Sequence, residues 1–416
     1  MSPSTEPPSK PATQPPPRPA TQPPRPAIRS RLPAFYERPQ AERLAILADM
    51  GALDPASLAH LARGGALDAA LADRMSENVL STLGLPFSVA LNFVVNGRDV
   101  LVPMATEEPS VVAAASNAAK MVRPSGGFRG EADRSIMTAQ IQLDDVPDPR
   151  SAEARVLARR EALLAAGNAS IPRMVERGGG CEDIDVRVLD EELGVIVIHV
   201  HVDVGDAMGA NTVDEVAEAL ADPIHAIVGG RVGLRILTNL PLRRRVRVRA
   251  FARDEDLGGA DVADGIARAS RFADLDVFRA VTHNKGFMNG VDSAALALGQ
   301  DFRAIEAGAH AFAALSGRYR PLSRWERAPG GLRGSAELPL ALGTVGACVT
   351  ANPTVRAALA LAGSPGARDL AIVLASAGLA SNLAALRALA TEGIQRGHMR
   401  LHARKLEGVA PTEGAS

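Results

Sequence analysis

Cysteine is almost absent from this chain, which has two in 416 residues, Cys181 and Cys348. Two thiols cannot form the disulfide framework of a small secreted protein, so we expect a reducing compartment and packing roles for both. Excess charge of one sign is also lacking, because 46 basic residues offset 47 acidic ones. A near-neutral chain has no general attraction to nucleic acid or to an anionic membrane, and neither is predicted as a partner.

Signals for export and membrane insertion are missing as well. The proline-rich start has no apolar signal-peptide core, which predicts a cytoplasmic protein. Two long uncharged runs, residues 78–97 and 338–355, contain proline, asparagine and glycine, unlike a membrane-spanning helix. We interpret both runs as buried parts of a soluble core.

The chain also lacks a G-x-G-x-x-G fingerprint, which argues against an ordinary Rossmann domain. Residues 136–220 instead alternate as strand, helix, strand, strand and helix, the order of a ferredoxin-like unit. The predicted strand over residues 195–204 runs into Gly205-Asp206-Ala207-Met208-Gly209-Ala210-Asn211 and then a helix. A strand followed by glycines and a helix N-terminus presents backbone N–H groups to phosphate.

A lysine stands out among the residues that are present. Lys285 lies within Thr282-His283-Asn284-Lys285-Gly286-Phe287-Met288-Asn289-Gly290-Val291-Asp292, interpreted as a polar loop in which the glycines permit turns. Its ammonium can stabilise an oxygen on which negative charge develops. The alternative is a solvated lysine in an ordinary loop.

Other charged stretches have structural interpretations. Glu107 and Glu108 are predicted to cap an alanine-rich helix that ends near Met121. Asp301 precedes a helical run over residues 303–315 and is, on spacing alone, an N-cap. Alternating arginines over residues 243–249 indicate one solvated face of a strand.

Five stretches in chain order resemble hydroxymethylglutaryl-CoA reductase in its bacterial class II form. They are Glu77-Asn78-Val79-Leu80, Val102-Pro103-Met104 with Glu107 to Ser116, Asp206 to Asn211, the lysine segment, and Gly397-His398-Met399. The likeness extends over residues 30–404. It implies an α+β fold with a large helical domain for CoA and substrate and an inserted ferredoxin-like domain that binds a nicotinamide cofactor.

The resemblance also implies domain limits. It predicts the large domain over residues 30–103 and 239–392, the small domain over 104–238, and a shortened C-terminal flap over 393–416. The composition of residues 1–29, rather than the resemblance, predicts a disordered proline-rich tail. Because eighteen residues follow His398, we expect weak closure over the substrates and a raised KM for the CoA substrate. The resemblance further implies a homodimer, or a higher homo-oligomer, with sites at the subunit interface.

Site residues follow from the same resemblance. Reducing a thioester to an alcohol takes two hydride deliveries with loss of thiolate between them, so the site needs an oxyanion partner and proton donors. The resemblance gives these roles to Lys285, supported by Asp301, to Glu77 as the acid for the aldehyde stage, and to His398 as the acid for the thiolate. Arg279 and Asn289 match substrate-binding residues, and Asp206, Met208, Gly209 and Asn211 match the cofactor motif.

Cofactor choice is predicted from one position at which this chain differs from NADH-specific relatives. In NADH-specific relatives, an acidic residue that precedes the triple glycine (Gly178-Gly179-Gly180) binds the ribose hydroxyls. This chain has Ile171 at that position. NADH or NADPH is therefore expected, with NADPH or dual use favoured. Some relatives have a CoA-binding arginine at the position of Tyr36, and Arg31 is a substitute. No metal is expected, because the chemistry needs none and His199, His201 and His283 have no evident acidic partner.

Two other functions fit the same residues. The chain could be a non-catalytic CoA-binding or regulatory homologue with an incomplete flap, or an oxidoreductase acting on another acyl thioester. Both reaction directions, toward mevalonate or away from it, are compatible with the sequence.

Overall fold

An Asn-Gly turn closes the first hairpin of the fold. Asn96 and Gly97 have φ angles of 49° and 79°, and positive φ at both central residues is what a tight two-residue hairpin turn requires. The turn joins β1 (Phe87–Val95) to β2 (Arg98–Ala105), which pair antiparallel. The predicted hairpin is confirmed.

The computed structural model describes residues 28–346, 349 and 351–391. After the hairpin its strands are β3 Phe128–Ala132, β4 Ile136–Asp144, β5 Gly180–Asp190, β6 Val195–Asp203, β7 Arg231–Leu237, β8 Arg245–Arg253, β9 Ser323–Ala328 and β10 Gly331–Pro339. The helices up to residue 257 are α1 Gln40–Asp49, α2 Pro55–Ala62, α3 Ala69–Met75, α4 Val111–Val122, α5 Pro149–Leu157, α6 Arg160–Ser170, α7 Pro172–Glu176, α8 Ala210–Val228 and α9 Asp254–Leu257. The remaining helices are α10 Ala260–Leu275, α11 Val277–Ala297, α12 Phe302–Ala314, α13 Pro353–Leu361 and α14 Ala367–Ala390.

The larger sheet has six strands in the order β2-β1-β3-β8-β10-β9. Helices α4, α10, α11 and α14 cover it, and their apolar faces share one core with Phe93, Phe128 and Trp325 of the sheet. Because alternate residues of a strand face opposite sides, Val246 and Val248 of β8 are buried while Arg245 and Arg247 are partly exposed.

The smaller sheet has four strands in the order β5-β6-β4-β7, with α5, α6 and α8 packed against it. This is the strand order and connectivity of a ferredoxin-like unit, and the fold-class prediction is confirmed. The sheet begins at Ile136, later than the predicted small-domain start at residue 104. Helix α4 and strand β3 belong to the core of the larger sheet, because their apolar residues pack there.

Lys285 lies in a regular helix, so the loop interpretation is wrong. Helix α11 runs unbroken from Val277 to Ala297, with Asp276 accepting a hydrogen bond from the Arg279 N–H as its N-cap. Its glycine at position 290 serves packing rather than turning, because a Cβ there would lie 2.3 Å from the carbonyl oxygen of Ala377 in α14. The helix is thereby brought against α14 at close range.

Residues 76–86, between α3 and β1, are irregular and mostly exposed. Leu80 is 100% exposed and Leu83 is 93% exposed. The burial predicted for the run 78–97 is therefore correct for β1 and wrong for the preceding segment. Among the described residues one helix, α14, has the length and composition to cross a membrane, but 83% of its most apolar window is buried in the protein.

Candidate active site

The ammonium of Lys285 is paired with a carboxylate from a distant part of the chain. Its Nζ lies 2.8 Å from Oε2 of Glu108, and the two side chains are 59% and 35% exposed. Lys285 projects from the middle of α11, and Glu108 lies three residues before α4 begins. The pair places a fixed positive charge where a solvent-borne substrate can reach it.

Glu108 was missed as a site residue by the sequence analysis. It was predicted to cap α4, but that helix begins at Val111 with Ser110 as N-cap and has no acidic residue in its first turn. The capping prediction is therefore wrong, and the carboxylate instead contacts Lys285. The available signal was an acid immediately before Pro109 in one of the five stretches that carry the family resemblance.

The other predicted catalytic residues form no ion pair with Lys285 in the described part of the chain, or lie outside it. Glu77 belongs to the exposed segment after α3, and in the described part of the chain it makes no hydrogen bond or ion pair with Lys285. Asp301 is the N-cap of α12 and accepts a hydrogen bond of 3.1 Å from the Ala304 N–H. His398 lies outside the described residues, as does the predicted flap. The catalytic roles of all three stay predictions.

The two predicted substrate-binding residues share α11 with Lys285. Asn289 follows Lys285 by one helical turn, so their side chains lie on the same face. Arg279 is in the first turn, where burial lowers the pKa of its guanidinium. One helix thus carries a cation, an amide and a second cation, which is suited to an anionic and oxygen-rich substrate.

The predicted cofactor turn lies between β6 and α8. Gly209 has φ 99°, and a Cβ there would come within 2.6 Å of the Val204 side chain, so the turn requires glycine. No side chain caps α8, which leaves the first N–H groups near Asn211 available to an anion. These features fit the phosphates of a dinucleotide.

Asp206 has a structural partner that the sequence does not reveal. Its Oδ1 accepts a hydrogen bond of 2.7 Å from the N–H of Ala367, at the start of α14. Its backbone oxygen accepts another, of 2.9 Å, from the N–H of Thr344. The carboxylate therefore ties the small domain to the longest helix of the large domain, and its cofactor role stays a prediction.

Arg244 is a second residue missed by the sequence analysis. It is 4% exposed, and its guanidinium donates to the carbonyls of Ala207, Met208 and Leu342. Burial lowers its pKa to about 10. The solvated-face interpretation is wrong for this arginine, which holds the turn between β6 and α8 against the segment that follows β10.

The three histidines considered for a metal are engaged by protein groups. His283 is buried with Nε2 3.0 Å from Oγ of Ser323, and burial lowers its pKa to about 4, so it is neutral. His201 has an acidic neighbour after all, because its Nε2 lies 2.7 Å from Oδ2 of Asp185. Within the part of the chain that the structure describes, no three histidine, cysteine or acidic side chains form a metal-binding group.

A groove of about 1220 Å³ lies beside this site, between α1, residues 82–89 and α4. Arg31, Arg43 and Lys120 supply positive charge to walls that are mainly apolar. Tyr36, which stands where some relatives have arginine, also lines it. A long ligand with an anionic end and an apolar arm fits this lining.

An accessible lysine paired with a carboxylate, in a chain that also has a helix N-terminus able to offer N–H groups to phosphate, fits a nicotinamide-dependent reductase acting on a carbonyl. The family model for hydroxymethylglutaryl-coenzyme A reductase matches residues 39–403. The chain belongs to that family of oxidoreductases.

Relatives support this assignment over most of the chain. The 3-hydroxy-3-methylglutaryl-coenzyme A reductase of Archaeoglobus fulgidus is 47% identical over 393 residues, which is 94% of this chain and 89% of the relative. The class II enzyme of Streptococcus pneumoniae, solved bound to NADPH in open conformations, superposes with a TM-score of 0.84 at 38% identity, covering 86% of this chain and 99% of that one. A second structure of the enzyme from that organism superposes with a TM-score of 0.85 at 39% identity, covering 92% of this chain and 93% of that one.

Proposed function

We propose that this chain interconverts 3-hydroxy-3-methylglutaryl-CoA and mevalonate plus CoA, with two molecules of NAD(P)H per thioester reduced. The observation that carries the proposal is the accessible pair of Lys285 and Glu108, at 2.8 Å, in a chain of this family. No observation favours the non-catalytic alternative.

Lys285 stabilises the negative charge that forms on the carbonyl oxygen. When bound, the nicotinamide cofactor supplies the hydride for each reduction. Glu108 orients the ammonium through a charge-assisted hydrogen bond, so little reorganisation is needed as charge develops. Release of CoA then requires a proton on the thiolate, the role predicted for His398.

The second reduction turns an aldehyde into an alcohol and requires a proton on the new alkoxide. The resemblance assigns this proton to Glu77, whereas Glu108 is the acidic residue beside Lys285 in this chain. We assign the donor role to Glu108, which takes up a proton from solvent before the second reduction, because as the anionic partner of Lys285 it has none to donate. A contribution from Glu77 would then come from a second subunit, through its exposed segment.

The groove beside α4 is proposed to hold CoA. Its basic residues Arg31, Arg43 and Lys120 suit phosphates, and its apolar wall suits the pantetheine arm. Helix α4 begins three residues after Glu108, so a thioester at the near end of the groove would approach the reactive pair.

NADPH is the proposed cofactor, with dual use as the second possibility. Ile171 is 4% exposed and packs in the small-domain core, so it cannot bind ribose hydroxyls as an acidic residue would. The Streptococcus pneumoniae relative was solved with NADPH bound.

A cytoplasmic homodimer is proposed as the working form. The apolar side chains of Leu80, Leu83 and Phe278 are 100%, 93% and 84% exposed, more than an isolated chain would leave in water if no partner covered them. Phe278 is on α11 with Lys285, so a second subunit at this surface would border the site.

The direct test is a stoichiometric assay. With hydroxymethylglutaryl-CoA added, we expect two NADPH oxidised for each free thiol released, and a higher kcat/KM for NADPH than for NADH. Absence of nicotinamide oxidation with either cofactor would support the binding-protein alternative. Turnover only with other thioesters would support a different substrate.

A further inference from the structure

A short segment directly after β10, residues 340–344, contributes to both hydrophobic cores of the protein. Leu340 and Leu342 pack in the core around the larger sheet, whereas Ala341 between them packs in the core of the smaller sheet. The three residues are 2%, 0% and 8% exposed. Consecutive residues therefore belong to two different cores, and a shift of this segment would disturb the packing of both.

The cofactor turn between β6 and α8 rests on this segment. The Thr344 N–H donates to the backbone oxygen of Asp206 at 2.9 Å, and a Cβ on Gly343 would lie 2.6 Å from the backbone nitrogen of Met208. Arg244 donates to backbone carbonyls of both the turn and the segment. The turn and residues 340–344 are therefore held in direct backbone contact, without room for a side chain at position 343.

A buried amide, Gln300, holds the same segment from another side. Its Nε2 donates to the Gly343 carbonyl at 2.9 Å, and its Oε1 accepts from the Gly343 N–H at 2.8 Å. The Nε2 also donates to the carbonyl of Leu298 at 2.8 Å. Gln300 is 8% exposed. Its side chain thus uses both kinds of hydrogen-bonding atom of an amide to fix one peptide unit of the segment.

Gln300 lies in the connection between the two helices that carry predicted catalytic residues. It follows α11, which bears Lys285, and immediately precedes Asp301, the N-cap of α12. Its backbone N–H donates to the carbonyl of Ala295, in the last turn of α11, at 2.9 Å. One residue is therefore attached to the end of α11, to the start of α12 and, through Gly343, to the cofactor turn.

We propose that Gln300 positions the cofactor turn relative to Asp301 and the end of α11, acting through residues 340–344. The inference rests on the proposed reductase function. Hydride transfer requires the nicotinamide to lie close to the carbonyl in a defined orientation, so a small displacement of the turn slows the transfer. Gln300 acts through the backbone of Gly343 and is therefore a positioning residue.

A purely structural role for this amide gives a different expectation. Loss of the Gln300 side chain leaves the N–H and carbonyl of Gly343 and the carbonyl of Leu298 without their partner, which lowers the free energy of unfolding in either case. A structural role ends there, because the molecules that remain folded keep wild-type kinetics. A positioning role also changes how the folded enzyme uses NADPH.

The test begins with Gln300→Met, which keeps the length of the side chain and removes its hydrogen bonds. We expect kcat about tenfold lower and KM for NADPH about fivefold higher, with KM for hydroxymethylglutaryl-CoA within about twofold of wild type. With NADPH deuterated at the transferred position, the isotope effect on kcat should rise, because hydride transfer becomes slower relative to the other steps. Gln142→Met is the matched control, since the Gln142 amide on β4 also bonds a backbone group, the N–H of Leu234, at 3.3 Å. It should match wild type.

Gly343→Ala perturbs the other end of the same connection, because the new methyl group presses on the backbone of Met208. It should also raise KM for NADPH and the isotope effect. Since both changes loosen one connection, the double variant Gln300→Met/Gly343→Ala should lose less than the product of the two single losses. Losses that simply multiply would overturn the proposal. Gly343→Ala combined with Gln142→Met should behave as Gly343→Ala alone.

Fluorescence titration with NADPH, without thioester, supplies a readout that does not depend on turnover. Gln300→Met should bind NADPH about fivefold more weakly than wild type. A folded Gln300→Met enzyme with a lower melting temperature but wild-type NADPH binding, KM and isotope effect would overturn the proposal. If that variant does not fold, Gly343→Ala and Gln300→Glu, which keeps the acceptor for the Gly343 N–H, replace it, and wild-type NADPH kinetics in both would overturn the proposal. If wild type fails to oxidise NADPH with hydroxymethylglutaryl-CoA while Gln300→Met weakens NADPH binding, the proposed reaction is wrong and the positioning role stands.

Discussion

At the scale of single residues, Lys285, the cation proposed to act in the reaction, is held by an ion pair that contributes little to folding. Pairs as exposed as Lys285 and Glu108, at 59% and 35%, contribute about 0–1 kcal/mol to stability. Their variants are therefore expected to fold. Losses of activity at these positions can be assigned to chemistry rather than to unfolding.

The first prediction separates the two candidate acids. Glu108→Gln is expected to lower kcat by about 10²-fold or more, because it removes both the partner of Lys285 and a proton donor. Glu77→Gln should have an effect of that size only if the partner subunit supplies Glu77 to the site. Initial rates of NADPH oxidation measure both.

Glu107→Gln is the matched control, since Glu107 is the exposed neighbour of Glu108. It should leave kcat unchanged. Full activity in Glu108→Gln together with a large loss in Glu77→Gln would transfer the donor role to Glu77.

The second prediction concerns acid stability. The pKa of His283 is about 4 in the folded chain against 6.5 for a free histidine, because burial disfavours its charged form. The unfolded chain therefore binds the proton first, and stability present above pH 6.5 is lost as pH falls toward 4, by up to about 1.4 kcal/mol per pH unit.

Urea unfolding at several pH values measures this contribution. His283→Gln should unfold with a shallower pH dependence than wild type in that window, whatever its stability at neutral pH. Parallel curves for the two proteins would contradict the assignment of a neutral buried histidine.

At the scale of elements, the position of Lys285 depends on how closely α11 approaches α14. A Cβ at residue 290 would lie 2.3 Å from Ala377 O, whereas one at residue 286 would have Ala385 Cβ as its nearest neighbour, at 3.7 Å. Alanine substitutions at these two glycines of α11 are therefore expected to change the stability of the protein in opposite directions.

Gly290→Ala is expected to destabilise the protein by about 1–3 kcal/mol, because α14 must move away from the new methyl group. Gly286→Ala should be neutral or stabilising by up to about 1 kcal/mol, since alanine favours the helix and finds ordinary contacts. Thermal unfolding compares them. Equal melting temperatures would contradict the packing described.

Elements fixed by local sequence were predictable, and those fixed by distant contacts were not. The hairpin at Asn96-Gly97 and the ferredoxin-like order of β4 to α8 follow from turn chemistry and periodicity. Helix α11 was mistaken for a loop because Gly286 and Gly290 are turn residues in isolation. Their use in packing depends on α14, which lies about 90 positions later in the chain.

Site residues divide in the same way. Lys285 could be singled out as a candidate from its neighbours and the family resemblance, and its role stays a prediction. Glu108 was assigned to helix capping, because nothing local indicates a lysine 177 positions away. Arg244 was assigned to a solvated face because the sequence does not reveal which carbonyls it binds. Those carbonyls come from two segments that are distant along the chain.

At the scale of the whole molecule, the exposed apolar segment before β1 predicts a second subunit. Replacing both Leu80 and Leu83 by aspartate should give a monomer by light scattering, because charges in an apolar interface lose their hydration without finding partners. Activity should fall with the loss of the dimer if the sites lie at the interface.

Leu193→Asp is the control, since Leu193 is 67% exposed on a turn of the small domain. That variant should keep the wild-type mass and activity. A double variant that remains dimeric and fully active would exclude this segment from the interface.

Turnover of Lys285→Ala with hydroxymethylglutaryl-CoA and NADPH, measured beside wild type at the same pH, decides whether this lysine stabilises the oxyanion. Removing the cation that is paired with Glu108 should lower kcat by about 10²–10³-fold, because oxyanion stabilisation is lost while the fold is kept. A folded Lys285→Ala enzyme that retains wild-type kcat would contradict the account.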